Sequence, residues 1–273
     1  MSRVPGLLVL GLLAAWQGIA CGLALVETPM LAEAVAEGKL PRVAQRLPET
    51  PLVAAMADKT VSAGRHGGTL NMLIGRSRDV RMLVVYGYAR LVGYDRNLRI
   101  VPDILESVQV IKGRVFTMKL RKGHRWSDGQ PFTSEDFRYY WEDVASNLEL
   151  SPAGPPGELV VDGESPRVEI LDASTVRYSW SMPNPDFLPR MAGASPLFIF
   201  RPAHYLRQFH KKYNPKIAEA EASGKAKRRW SQLHNREDNM YQFDNPALPT
   251  LQDRKSTRLN SSHIQKSRMP SSA

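Results

Sequence analysis

Between residues 115 and 120 apolar and polar side chains alternate as Val-Phe-Thr-Met-Lys-Leu, the period-two pattern of a half-buried strand. A second run at 106–111 precedes it. Lys112-Gly113 between them reads as a tight turn, so the two runs predict a β-hairpin. The pattern recurs at 168–171 and 175–180 across Asp172-Ala173-Ser174, predicting a second hairpin. Residues 69–74, entered through Gly67-Gly68, predict a further strand. Between the hairpins the period changes. Phe137, Tyr140, Trp141, Val144 and Leu148 fall on one helical face, with Thr133 placed as N-cap and Asp136 three residues on as its capping-box partner. Lys122-Gly123 and Asp128-Gly129 are turn dipeptides that bracket Trp126. Residues 81–91 carry Leu83, Tyr86 and Ala89 at helical spacing. Pro202 opens a helix with Tyr205, Leu206, Phe209 and Tyr213, which ends before Pro215. Three prolines and two glycines within 151–157 predict a surface loop.

The two ends of the chain follow different rules. Residues 1–24 read as an export signal peptide: Arg3 is followed by an apolar run over 7–16, too short to span a bilayer as a lone anchor. Gly22 and Ala24 occupy the −3 and −1 positions of a cleavage before Leu25. Cys21, the single cysteine, follows Ile19-Ala20 and is a candidate lipidation site, although Gly18 stands where a lipobox prefers Leu. Cleavage after Ala24 would leave a chain without cysteine and hence without disulfides. Residues 25–66 form a leader arm, helical over 30–37 and then interrupted by Pro41 and Pro48. Residues 253–273 have no periodicity, and 253–263 match what a common short-read sequencing adapter encodes. That tail is expected to be disordered, leaving 67–252 as the globular lobe.

Charge narrows the function classes. The formal net charge is +10, but the tail holds five bases against Asp253, so +4 sits there and +6 remains on 1–252. Such a surplus on a chain of this length does not call for nucleic acid. The densest basic run, Lys225, Lys227, Arg228 and Arg229, reads as a solvated helix face. No nucleophile elbow occurs. The histidines at 66, 124, 204, 210 and 234 show no metal-ligand spacing. Asp128 reads as a turn residue, Asp136 as a helix start, and Glu142 and Asp143 as an exposed face. No catalytic, metal or cofactor site is expected.

The segments Leu120-Arg121-Lys122-Gly123, Trp126-Ser127-Asp128-Gly129, Pro131-Phe132-Thr133 and Asp136-Phe137 together resemble a signature of family 5 extracellular solute-binding proteins, the peptide- and nickel-type binding proteins of ABC importers. Stretches at 100–103, 202–210 and 239–251 extend the resemblance over nearly all of 26–252. Trp126 reads there as a core plug at a strand-to-helix corner. The resemblance implies an α/β fold of the class II periplasmic-binding-protein type. Family members continue for hundreds of residues past this point, so the chain is expected to be an N-terminal fragment holding only the first part of lobe I. It further implies a monomeric periplasmic protein that captures peptides between two lobes and delivers them to a membrane permease, without enzymatic chemistry. The loop after the first strand, Arg76, Ser77, Arg78 and Asp79, is the candidate ligand contact. Arg76 or Arg78 would fork onto a ligand carboxylate, and Tyr86 and Tyr88 would line the cleft. Asn184-Pro185-Asp186 is a further candidate. A nickel complex or an oligosaccharide is the alternative ligand, and a periplasmic hydrolase the rival function.

Overall fold

The computed structural model describes residues 25–53, 90–193, 196–239, 245 and 247–251. The expected strand at 69–74, most of the expected helix at 81–91, the signal peptide and the C-terminal tail lie outside the described residues.

Six strands are present among the described residues. β1 (Val92–Tyr94) and β2 (Ile100–Pro102) form a small antiparallel ribbon. β3 (Leu105–Ile111), β4 (Val115–Leu120), β5 (Arg167–Asp172) and β6 (Thr175–Ser179) form an antiparallel sheet in the order β3-β4-β6-β5. Both predicted hairpins are there. At the first, Lys112 and Gly113 take φ of 53° and 65°, and Arg114 N–H closes the turn onto Ile111 O. The hairpins join through β4 and β6, with Phe116 opposite Tyr178 and Met118 opposite Val176. Those four side chains are buried with Leu120, while Thr117, Lys119 and Arg177 take the other face, as strand alternation requires.

The leader supplies α1 (Ala32–Ala36) and α2 (Val43–Arg46). Beyond α2 it meets the corner that follows β4. Glu49 N–H donates to Lys122 O at 2.9 Å, and Arg121 Nη1 to Thr50 O at 3.2 Å. Gly123 sits in this contact with φ 81°, and a Cβ there would lie 3.4 Å from Glu49 N. Gly123→Ala combines a left-handed backbone with that close approach. Chemical denaturation is expected to show a loss of about 1–2 kcal/mol.

The corner itself is built as its residue types dictate. Trp126 is 3% exposed, with Phe132 edge-on at 5.4 Å and Phe200 at 6.1 Å. Thr133 caps α3 (Ser134–Arg138), and Asp136 completes the capping box. Asp136 does more than cap. Its Oδ2 accepts from Thr133 N–H at 2.9 Å and from Trp126 Nε1–H at 3.2 Å, and its Oδ1 from Ala203 N–H at 3.1 Å. Burial pushes its carboxyl up to about 6, against the pull of these donors and of His204.

The predicted helix does not continue as an α-helix. After Arg138 the chain widens into a π-helical segment, Tyr139–Ala145, and Ser146 N–H bonds five residues back to Trp141 O. The wider turn brings the adjacent Tyr139 and Tyr140 both into the core. It ends before Leu148, which is 71% exposed rather than on the buried face expected for it. Asp143, expected on an exposed face, is buried as well. It accepts from Lys212 Nζ at 2.6 Å, Tyr213 OH at 2.6 Å and Arg138 Nη1 at 3.2 Å. Burial raises its pKa, but these hydrogen bonds and the Lys212 and Arg138 charges outweigh it and hold the carboxyl below the ordinary aspartate value.

The C-terminal half of the described chain is helical in short pieces. α4 (Phe187–Ala192) packs beside β1 and β2. α5 (Ala203–Leu206) is continued by a 3-10 turn, Arg207–Phe209, so the single helix expected there is broken before Tyr213. Pro215 then occupies the first turn of α6 (Pro215–Ala222), and α7 (Trp230–Glu237) follows. The basic run at 225–229 is the exposed connection between α6 and α7, not the helix face expected.

Candidate functional site

The π-helical segment, the loop 151–157 and the start of the 201–209 stretch border, with α7, an open hollow of about 660 Å³. Each wall has a local cause. Tyr140, Val144 and Ala145 reach it because the π turn rotates them inward. The loop 151–157 lines another side, and Ser151 Oγ–H ties it to Val144 O at 2.9 Å. Arg201 is held by its own backbone, whose N–H donates to Asp136 O at 3.1 Å, two residues before Ala203 caps the Asp136 carboxylate.

Arg201 organises the polar side of the cavity. Its guanidinium lies 5.0 Å over the Tyr140 ring. Nε donates to Asp238 Oδ2 at 2.7 Å, and Nη1 to Phe198 O at 3.2 Å and Phe200 O at 2.8 Å. Asn235 Nδ2 donates to Leu150 O at 3.1 Å, which fixes α7 to the loop. Burial, with the Asp238 and Glu158 charges, raises the Tyr140 phenol against the opposing Arg201 charge, so it stays protonated. The arrangement offers an aromatic wall and a neutralised ion pair. Among the described lining residues no nucleophile stands beside a base.

A second hollow of about 490 Å³ shares Gly157 and Val160 with the first. It contains Asn184, Pro185 and Asp186, together with Arg190. Asn184 is committed to structure, since its N–H donates to Gly113 O at 2.8 Å and its Nδ2 to Glu158 O at 3.2 Å. Asp186 and Arg190 are left to face the hollow.

The ligand-contact candidates Arg76, Ser77, Arg78, Asp79, Tyr86 and Tyr88, and the lipidation candidate Cys21, lie outside the described residues. Among the described residues no group of three His, Cys, Asp or Glu could hold a metal ion. His204 pairs with Asp128 at 2.7 Å, and His210 and His234 are buried. Arg201 and Asp238 carry no local sequence signal. They stand 37 positions apart, and no local pattern links them.

The model of bacterial extracellular solute-binding proteins, family 5, matches residues 99–230. A solved oligopeptide-binding protein OppA is 35% identical with a TM-score of 0.69, covering 83% of this chain and 35% of its own. The periplasmic alpha-galactoside-binding protein of Rhizobium meliloti (strain 1021) is 29% identical over 202 residues, 66% of this chain and 28% of that protein. The periplasmic binding protein MelB from Agrobacterium fabrum C58, solved with stachyose, shares the fold at 23% identity and a TM-score of 0.57, covering 84% of this chain and 35% of that one. The chain thus spans about a third of the length of each of these three proteins.

Proposed function

Because this chain belongs to family 5 of the bacterial extracellular solute-binding proteins, we propose that the full-length protein is the solute receptor of an ABC importer and that its solute is an oligopeptide. The observation that carries the peptide reading is the 35% identity to an oligopeptide-binding protein over 83% of this chain. On this reading residues 1–24 direct export to the periplasm, with Cys21 as the candidate lipid anchor. Residues 25–66 are an arm on the lobe formed by 67–252. Arg76 or Arg78 pairs with the peptide carboxylate, Ser77 and Asp79 complete that loop, and Tyr86 and Tyr88 line the cleft. Closure of two lobes excludes water and presents the loaded monomer to a membrane permease, with no covalent step.

An α-galactoside is the second reading. It is favoured by the 29% identity over 202 residues to the alpha-galactoside-binding protein. Calorimetric titration of the full-length protein with a mixed di- to hexapeptide pool, and separately with raffinose and stachyose, decides between them. Saturable peptide binding with a Kd on the order of micromolar is expected, together with no heat from the sugars. Saturation by the sugars alone would replace the peptide reading with the second one.

A further inference from the structure

Two imidazoles are buried side by side where α7 meets the π-helical segment. His210 is 2% exposed and His234 is fully buried, with ring centroids 5.7 Å apart. His210 is built to be neutral. Its Nδ1 accepts the Lys212 N–H at 3.1 Å, so the ring proton sits on Nε2, 3.2 Å from Asp143 O. A second proton on Nδ1 would face that N–H and break the contact. His234 Nε2 meets Tyr139 OH at 2.7 Å, and the neighbouring Asn235 side chain favours a proton on the ring against its burial. Trp230, in the first turn of α7, stacks edge-on against His210 at 4.6 Å. The His210–Lys212 contact requires an uncharged ring, and a second proton on His234 would be buried beside it; α7 is held as well through Asp238 on Arg201 and Asn235 on Leu150.

The surrounding charges reinforce this. Lys211 and Lys212 flank His210, and the Arg201 charge acts on His234. Asp143 is the acid that favours protonation of both, and it is already shared among Lys212, Tyr213 and Arg138. Tyr139, from the π-helical segment, is held neutral by burial and by the Asp238 and Asp143 charges, with Arg207 opposing. Glu149 lies beyond Trp230, engaged by its Nε1–H and by Lys211.

We propose that the His210–His234 pair is an acid-released latch: on acidification α7 detaches from the π-helical segment and opens the cavity wall that carries Asn235, while the four-stranded sheet stays folded. The sign follows from linkage. Burial first, then repulsion from any proton taken up by His210 and from the Arg201 charge, lower His234 from 6.5 to about 3, and burial also lowers His210. A detached α7 lets both rings titrate near their ordinary value. The docked state is thus fully favoured above about pH 6.5. It loses up to about tenfold per pH unit on account of His234 as the pH falls from there toward 3, and the lowered His210 adds in the same direction. The core face of the sheet, with Phe116, Met118, Val176 and a Tyr178 kept neutral by burial, has no group that charges in this window, while Asp136, in the helix start packed against β5 and β6, loses its charge as the pH falls through about 6 and so favours the folded corner.

Amide hydrogen exchange of the full chain at about pH 7.5 and about pH 5, corrected for intrinsic exchange, tests the latch. Protection of α7 is expected to fall by at least about tenfold relative to β4 and β6 at the lower pH. His234→Phe keeps a ring without a titratable group and should reduce that differential. A proton NMR titration of the unsubstituted chain reads the same coupling without a substitution: both rings should stay neutral until α7 opens. Equal loss of protection in α7 and the sheet overturns the proposal. So does ordinary titration of both rings while α7 stays protected.

Discussion

Trp126→Ala is expected to destabilise the full-length protein by about 3–5 kcal/mol, read from the denaturant midpoint at unchanged slope. The indole is 3% exposed and fills the angle between Phe132 and Phe200. Its removal leaves a cavity with rigid aromatic walls, which collapses poorly. It also removes the Nε1–H donor to the buried Asp136 carboxylate. At temperatures where the variant remains folded, solute affinity should stay within about twofold, a difference well under 1 kcal/mol. Intact stability with lost affinity would make Trp126 a ligand contact instead of a core residue.

Asp136→Asn is expected to change the pH dependence of stability more than any other single substitution at the corner. With burial raising this carboxyl from 3.8 to about 6, its contribution is fully present below about pH 4. That contribution is lost as the pH rises through 6, because the folded state then holds an ionised group that burial disfavours. The loss amounts to about 3 kcal/mol by pH 7. An amide has no such titration. The stability difference between variant and parent should therefore move by about 3 kcal/mol in the variant's favour between about pH 4 and about pH 7. Superimposed is a roughly constant cost of about 1–3 kcal/mol, because an amide NH2 must face at least one of the three N–H donors that the carboxylate satisfies. Taking the difference between the two proteins cancels the opposing contribution of His234, which both share. Parallel pH curves would show that Asp136 is ionised in the folded state as readily as in the unfolded one.

The capping box at Thr133 and Asp136 was legible in the chain, and so were the two hairpins and the core role of Trp126. Each is set by residues within a few positions of one another. A left-handed turn needs Gly113 beside it, a helix start needs an acceptor for orphan N–H groups, and alternating strands need one dry face. The family resemblance was legible for the same reason, since its signature is this corner.

The cavity was not legible. Its ion pair joins Arg201 to Asp238, and its aromatic wall depends on a π turn that a 3.6-residue period does not reveal. Asp143 and Glu142 are neighbours with the same chemistry, yet one is buried and the other exposed. What separates them is the arrival of Lys212 and Tyr213 from about seventy residues away. Likewise β4 and β6 pair across the whole helical excursion between the hairpins. The two hairpins, the capped helix start and the corner tryptophan are dictated locally, because capping and turn geometry act over a few residues. Which buried polar groups find partners depends on the whole fold, because a buried charge or imidazole is tolerated only where distant segments supply its hydrogen bonds.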